Sequence, residues 1–344
     1  MQSFSSRLID WQRVYGRHHL PWQGADAYMV WLSEIMLQQT QVVTVIPYFE
    51  RFISVFPNIA ALGAATEEQV LALWSGLGYY ARGRNLHRAA QIILERYAGN
   101  FPRQHEQILE LPGIGRSTAA AICALAYHER RAILDGNVKR VLSRYCGISG
   151  SPGDKAVQAK LWQLAEALLP QQDIAAYTQA QMDLGATLCT RNRPKCGACP
   201  VSGDCAALQS GRVLELPTRL SRKAIPNRHA TFLLLAHGSD ILLEKRPAMG
   251  IWGGLWCPPQ FDNELDAKNW FELNGMDAEH GERLTTFTHT FTHFKLHITP
   301  LRIQLARKPL RAAQPGSIWL DIREASQAAV PAPVRTLLQS FAGA

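Results

Sequence analysis

Four of the seven cysteines in this 344-residue chain fall between residues 189 and 205. They are Cys189, Cys196, Cys199 and Cys205. Glycine and proline residues between them bend the chain, so the four thiolates can surround one metal centre. Thiolate ligands restrict that centre to an iron–sulfur cluster or a tetrahedral zinc ion, and the spacing alone leaves both open. Cys123, Cys146 and Cys257 have apolar neighbours and are predicted to be ordinary core residues.

Two carboxylates are placed for acid–base chemistry. Glu34 is the only charged residue between Asp26 and Glu50, within an apolar run. A buried, unpaired carboxyl group resists ionisation, so the pKa of Glu34 is predicted to be raised and its proton to be available for a leaving group. Asp135 precedes a predicted helix, where a carboxylate caps backbone amides and can also face a developing positive charge. The two interpretations of Asp135 are compatible, because a cap can fix a catalytic side chain.

A glycine-rich turn predicts a contact with a phosphate backbone. Residues 111–116 read Leu-Pro-Gly-Ile-Gly-Arg and lead into the small-residue helix 117–126. Gly113 and Gly115 have no Cβ, so the chain can approach another surface closely, and amides at the helix start can bind an anion. Leu111 and Ser117 complete this hairpin. The alternative is an ordinary connection between two helices, but the Pro-Gly context favours DNA.

The sequence pattern changes along the chain, which predicts two domains. Residues 1–210 have helical periodicity, residues 211–229 form a basic linker, and residues 230–344 mix strand and helix patterns. Asp26 is predicted to cap a helix over residues 27–40. In the second domain, strands are predicted over residues 231–236, 241–245, 286–292 and 296–305.

The composition, with 47% hydrophobic and 19% charged residues, indicates a folded protein rather than a disordered one. The net charge of +8 fits a polyanionic partner, although it fits solubility alone nearly as well. No apolar run is long enough for a membrane span, and the N-terminal residues lack an export signal. A cytoplasmic protein without a membrane partner is therefore expected.

Together these motifs resemble a known family. The Leu-Pro-Gly-Ile-Gly turn, the later Asp135 and the four-cysteine segment are similar to the endonuclease III superfamily of DNA glycosylases. The segments Trp-Leu-Ser-Glu-Ile-Met-Leu-Gln-Gln-Thr-Gln at 31–41 and Trp-Ser-Gly-Leu-Gly-Tyr-Tyr at 74–80 narrow the resemblance to its MutY branch. The resemblance covers the whole chain. It implies a multi-domain fold, with a mainly α helix-hairpin-helix glycosylase domain carrying an iron–sulfur cluster loop at 189–205, followed by an α+β Nudix-like (MutT-like) domain. It also favours a 4Fe–4S cluster over zinc.

The resemblance implies an activity and assigns roles to the two carboxylates. The implied reaction removes adenine paired with 8-oxoguanine or guanine in double-stranded DNA, by a monomeric enzyme. Glu34 would protonate adenine and help to activate water, and Asp135 would stabilise the oxocarbenium-like sugar. Bifunctional relatives carry a lysine where this chain has Ser117. A hydroxyl group cannot form a Schiff base, so efficient strand cleavage is not expected.

The resemblance also implies contacts to the flipped base and its partner. Gln39 and Tyr79 match the positions that wedge into the duplex beside 8-oxoguanine. Trp22, Leu37 and Gln179 would line the adenine pocket, although a purely structural role for Trp22 is equally compatible. The remaining implied contacts, to 8-oxoguanine itself, come from Phe291, Thr292 and His293. The family often has serine where Thr292 stands, and an exposed strand is the alternative for that segment.

Three other functions are alternatives for this sequence, and each of them makes a different prediction. A bifunctional pyrimidine-lesion glycosylase-lyase is disfavoured by Ser117, Glu34 and the extra domain. A DNA-binding protein with a redox-sensing cluster and no enzymatic activity predicts that replacing Glu34 changes little. A nucleotide pyrophosphatase is disfavoured because the acidic box of Nudix hydrolases is missing after Cys257, which leaves no evident magnesium site.

Overall fold

The computed structural model describes residues 3–218, 224–308 and 316–342. The described residues form two compact units, one within the ranges 1–64 and 85–221 and the other within the ranges 65–84 and 222–344. A mainly helical part followed by a mixed α and β part confirms the predicted fold class. Of the predicted basic linker, residues 219–223 lie outside the described residues.

The helices and strands are numbered in chain order. The helices are α1 Phe4–Tyr15, α2 Ala27–Met36, α3 Val42–Val55, α4 Ile59–Ala64, α5 Glu67–Trp74, α6 Ala81–Tyr97, α7 His105–Leu109, α8 Arg116–Tyr127, α9 Gly136–Tyr145, α10 Lys155–Ala167, α11 Ile174–Thr187, α12 Ala206–Gln209, α13 Glu264–Leu273, α14 Ile322–Gln327 and α15 Ala332–Ala342. The strands are β1 Asn227–His237, β2 Asp240–Lys245, β3 Trp256–Cys257, β4 Gln260–Phe261, β5 Ala278–Arg283, β6 Phe287–Thr290, β7 Lys295–Leu305 and β8 Ser317–Asp321. Among the described residues, no helix is long and apolar enough to cross a membrane.

Helix α2 begins as predicted but ends earlier. The Asp26 side chain accepts a hydrogen bond from the Met29 amide at 2.9 Å, which confirms the predicted cap. The predicted helix ran to residue 40, whereas α2 stops at Met36. Gln39 has a φ of 59°, in the left-handed region that ends helical geometry. The apolar run therefore continues into a turn.

The core of the helical unit forms where α11 packs against α1, α8 and α9. Leu8, Leu142 and Leu161 are fully buried there. Gly185 on α11 permits the close approach to α9, because a Cβ at this position would lie 2.5 Å from the Cβ of Asn137. This packing fixes the start of α9, directly after Asp135.

The second unit is built on an eight-stranded sheet with the order β3-β2-β1-β7-β5, to which β4, β6 and β8 add. Strand β1 pairs in parallel with β7 from Asn227 to Ala236. Alternate β1 residues face opposite sides, with Phe232 packed in the core that contains α14 and α15 and Leu233 in the core that contains α13. Helices therefore cover both faces of the sheet.

Residues 65–84 differ from the predicted domain boundary. The sequence places them in the helical domain, within residues 1–210, because α5 has a helical pattern. In the structure they belong to the sheet unit, where Leu71 is buried in the sheet core. The Trp256 indole donates a hydrogen bond to Glu68, and Ser75 donates one to the carbonyl of Val330. These long-range contacts are not readable from a local helical pattern.

Candidate active site

Glu34 lies in the last turns of α2, beside the buried residues Ile35 and Met36. The side chain keeps part of its surface accessible. Burial, and after it the negative charge of Asp135, raises the pKa of Glu34 to about 8 from its usual 4.5. The predicted rise in this pKa is confirmed, and the Glu34 carboxyl group holds its proton at neutral pH.

Asp135 is held by backbone contacts on both of its sides. Its Oδ1 accepts a hydrogen bond from the Val138 amide at 2.8 Å, which makes it the predicted N-cap of α9. The preceding residue, Leu134, donates its amide to the Ser117 hydroxyl at 2.9 Å. The structure thus brings Ser117, predicted as a hairpin residue and as the position where bifunctional relatives carry lysine, into contact with the chain that leads to Asp135.

The predicted helix–hairpin–helix is present, with α7 and α8 joined by the turn at residues 111–115. Leu111 is buried at 3% exposure and anchors the turn. Position 113 requires glycine, because its φ is 82° and a Cβ there would lie 2.9 Å from Asn85. Gly115 caps α8 without a side chain, and the space around its Cα is open. The first amides of α8 are therefore accessible to an anion.

Gln39 and Tyr79, the two residues predicted to wedge into DNA, share an unusual backbone. Both have left-handed φ values, 59° for Gln39 and 46° for Tyr79, and both are exposed. Such conformations are uncommon outside glycine and concentrate at functional turns. Next to Gln39, the Gln38 amide donates to the carbonyl of Gly113 at 3.3 Å, which ties the end of α2 to the hairpin.

One buried carboxylate, Asp183, contacts the predicted pocket residue Gln179 and also Arg17, which precedes the predicted pocket residue Trp22 in the chain. Gln179 donates through Nε2 to Asp183 Oδ1 at 2.8 Å, and Arg17 donates to the same carboxylate. Trp22 lies in the turn at residues 21–24, is 5% exposed and packs edge-on against Phe49 at 5.2 Å. Leu37, the third predicted pocket residue, directly follows the last residue of α2 and lies three positions after Glu34.

The four clustered cysteines line a single cavity. Its other lining residues are apolar or basic apart from Ser202, and they include Arg144 and Lys195. Arg144 donates to the Cys189 sulfur at 3.4 Å and to the Thr190 carbonyl at 2.7 Å. Across the described ranges, no three His, Cys, Asp or Glu side chains are arranged to hold a single metal ion. Soft sulfur donors around a shared space, with cations nearby, fit a negatively charged iron–sulfur cluster.

The residues predicted to read 8-oxoguanine lie at the tip of the β6–β7 hairpin. The predicted strand 286–292 is shorter in the structure, because the Phe291 amide bonds to the Phe294 carbonyl at 2.9 Å and closes a turn. Thr292 and His293 are exposed at this tip. The Phe291 ring packs against Phe294, at 4.5 Å between ring centroids, and against Trp252, at 5.4 Å.

Known proteins match both parts of the chain. Residues 32–167 match the HhH-GPD superfamily of base excision DNA repair proteins, and residues 230–340 match the NUDIX domain. The adenine DNA glycosylase of Buchnera aphidicola subsp. Acyrthosiphon pisum is 40% identical over 340 residues, which cover 98% of this chain and 97% of that protein. The adenine DNA glycosylase of Homo sapiens is 32% identical over 406 residues, with 99% of this chain and 74% of that protein covered. The chain belongs to the adenine DNA glycosylase family.

Solved structures agree with the helical part of this glycosylase. A thermostable thymine-DNA glycosylase is 28% identical, with a TM-score of 0.55 over 60% of this chain and 95% of that one. A non-covalent endonuclease III–DNA complex, 18% identical with a TM-score of 0.51 over 59% of this chain and 94% of that one, shares the fold. The predicted membership in the MutY branch of the endonuclease III superfamily is confirmed.

Sequence reasoning missed two residues that contact predicted site residues of the glycosylase. Asp183 carried the same signal that identified Glu34, because it is the only charged residue in the apolar helix α11. Trp252 gave no signal, since its left-handed φ of 56° and its packing against Phe291 depend on the folded sheet unit. Asp183 contacts Gln179 and Trp252 contacts Phe291.

Proposed function

We propose that this glycosylase hydrolyses the N-glycosidic bond of adenine paired with 8-oxoguanine or guanine in duplex DNA, without efficient strand cleavage. The observation that carries the proposal is the pairing of a protonated carboxyl, Glu34, with the nearby Asp135. A group with a pKa of about 8 is a proton donor at neutral pH. Adenine needs such a donor, because its anion is a poor leaving group.

The reaction follows from these two side chains. Glu34 donates its proton to a ring nitrogen of adenine, and the bond from the sugar C1′ to the base breaks with its electron pair going to the base. Asp135, held as the cap of α9, faces the positive charge that develops on the sugar. Water then adds to C1′ and gives up a proton to the Glu34 carboxylate. The products are free adenine and an abasic site.

Reaching the bond requires the adenine to leave the base stack. Gln39 and Tyr79 occupy exposed turns suited to a wedge. Trp22, Leu37 and Gln179 are proposed to line the pocket that receives the base. The hairpin of Leu111, Gly113, Gly115 and Ser117 is proposed to hold the DNA backbone, supported by the accessible amides at the start of α8.

The opposite base is proposed to be read by the sheet unit. At the hairpin tip, Phe291 offers an aromatic face for stacking, and Thr292 and His293 offer polar groups for hydrogen bonds. This assigns residues 1–210 to catalysis, residues 211–229 to a linker and residues 230–344 to 8-oxoguanine recognition. Tyr79, within residues 65–84, lies in the same structural unit as the hairpin tip.

A 4Fe–4S cluster held by Cys189, Cys196, Cys199 and Cys205 is proposed as the cofactor. The cluster would supply four covalent links that fix the fold of the loop at 189–205. Arg140 and Arg144 of α9 already hold this loop through the carbonyls of Cys189 and Thr190. The enzyme is proposed to act as a monomer on double-stranded DNA.

Ser117 supports hydrolysis rather than lyase chemistry. Its hydroxyl cannot form a Schiff base with the sugar, and it already accepts a hydrogen bond from Leu134. An amine at this position is what a strand-cutting mechanism requires.

The test is single-turnover cleavage of a labelled duplex with one A:8-oxoguanine pair, with and without hot alkali. Scission only after alkali, with free adenine recovered, is expected. Scission without alkali would overturn the hydrolytic mechanism. No release of adenine by iron-loaded protein that binds the duplex would overturn the proposed activity.

A further inference from the structure

Asp183 is a completely buried carboxylate that lies one turn after Gln179 on α11. Three donors surround it within the helical unit. The Arg17 amide donates to Oδ2 at 2.8 Å, the Arg17 Nε to Oδ1 at 2.7 Å and the Gln179 Nε2 to Oδ1 at 2.8 Å. A buried charge is retained only when donors satisfy it in this way.

The contact with Asp183 fixes the orientation of the Gln179 amide. A glutamine amide has an oxygen that accepts hydrogen bonds and a nitrogen that donates them, so its partner decides which end faces it. An ionised carboxylate accepts hydrogen bonds and donates none, so only the nitrogen of Gln179 can face Asp183. The Gln179 oxygen is consequently turned away from Asp183 and available as an acceptor.

The same carboxylate also anchors the turn that carries Trp22. The Arg17 carbonyl accepts from Gln23 Nε2 at 2.6 Å, and Gln23 Oε1 accepts from the Leu20 amide at 3.1 Å. These bonds close the turn around Trp22. Asp183 thus joins Gln179 to the segment 17–23 that contains Trp22.

We infer that Asp183 is a positioning residue that sets the choice of base, by turning the Gln179 oxygen toward the 6-amino group of adenine. This inference rests on the proposed function, which places Gln179 in the adenine pocket. A base with a 6-oxo group, such as hypoxanthine, presents an acceptor at the same position. Two facing acceptors repel each other and leave both without a donor, so the pocket rejects that base.

The experiment compares Asp183→Asn with the unmodified chain on duplexes that hold adenine or hypoxanthine opposite 8-oxoguanine. An asparagine side chain both donates and accepts, so the Gln179 amide is free to flip. The ratio of the single-turnover rates, adenine over hypoxanthine, is expected to fall roughly 10- to 100-fold. The comparison of ratios removes any intrinsic difference between the two leaving groups.

The matched control is Gln181→Met on the same helix. Gln181 is also buried and donates to the Tyr177 hydroxyl at 3.1 Å, but this bond does not involve Asp183. Loss of that bond perturbs α11 without touching the orientation of Gln179, so the ratio is expected to stay unchanged. Should Asp183→Asn not fold, Arg17→Gln removes one of the three bonds to Asp183, and a smaller fall in the ratio is expected.

The outcomes separate this inference from the proposed function. Equal slowing of both substrates by Asp183→Asn, with the ratio intact, would reduce Asp183 to a structural role and overturn the inference alone. An unmodified chain that binds the duplex but excises neither base would overturn the proposed function, and the inference with it.

Discussion

The two carboxylates proposed for catalysis and the hairpin proposed to read 8-oxoguanine are built in opposite ways. Glu34 and Asp135 lie at helix ends, where burial and backbone hydrogen bonds control their charge and direction. Thr292 and His293 lie exposed at a hairpin tip, and Phe291 beside them is supported by ring contacts with Phe294 and Trp252. Excision of a base requires a proton donor with a controlled pKa. Recognition of the opposite base requires exposed side chains that can contact it. Changes in the first region should therefore alter the rate on every adenine pair, and changes in the second should alter the ratio between pairs.

The largest effect is expected for Glu34→Gln. Glutamine keeps the size of the side chain but cannot donate the proton, so the single-turnover rate should fall roughly 10²- to 10⁴-fold. The fall should be equal on A:8-oxoguanine and A:G pairs, and duplex binding should persist. The control is Glu50→Gln, an exposed residue on α3. If Glu34→Gln changed the ratio of the rates on the two pairs without slowing both reactions, the distinction between the two regions would be wrong.

The rate should also depend on pH through the same group. The pKa of Glu34 is raised to about 8, so the acid is protonated below pH 8 and loses its proton above it. The single-turnover rate is expected to be flat below pH 8 and to fall about tenfold per pH unit above it. Both adenine pairs should follow one curve, measured with saturating protein at each pH. A rate that rose above pH 8 would contradict an acid role for Glu34.

Phe291→Ala should instead change the ratio of the rates on A:8-oxoguanine and A:G. Loss of one stacking ring is expected to lower the preference for A:8-oxoguanine over A:G roughly tenfold, with little change in the rate on A:G. Trp252→Leu should lower the same preference by a smaller factor, because Trp252 contacts Phe291 and is not itself proposed to contact the base. The control is Leu273→Ala, an exposed residue at the end of α13. Equal slowing on both pairs would place the hairpin in the catalytic machinery.

Features carried by local sequence could be predicted, and those made by distant contacts could not. The caps at Asp26 and Asp135 and the raised pKa of Glu34 follow from residue type and immediate neighbours, and the structure confirms them. The placement of residues 65–84 with the sheet depends on bonds to Trp256 and Val330, far along the chain. The roles of the implied DNA contacts, Gln39 and Tyr79 among them, stay predictions.

Ser117→Ala tests how firmly the catalytic region is held. Its loss leaves the Leu134 amide without its acceptor, directly before Asp135. The rate on both adenine pairs should fall roughly 3- to 10-fold, with no change in strand cleavage. Ser54→Ala, which removes an exposed local bond to Arg51, serves as the control in the same assay. An unchanged rate would show that the cap at Val138 is sufficient to hold Asp135.

The smallest effect concerns stability, and it follows from the burial that makes Glu34 an acid. In the folded chain the pKa of Glu34 is about 8, against 4.5 for an exposed carboxyl. Between these values the native state holds a proton that the unfolded state has lost, so the contribution of Glu34 to stability falls as the pH rises. Glu34→Gln has no such dependence. The melting temperature of the variant should therefore exceed that of the parent by a margin that grows from pH 5 to pH 8, to roughly 5 °C. Glu50→Gln, at an exposed position, is the control. A margin for Glu34→Gln that did not change with pH would mean that the catalytic carboxyl is as well solvated as the exposed residues of the reading hairpin.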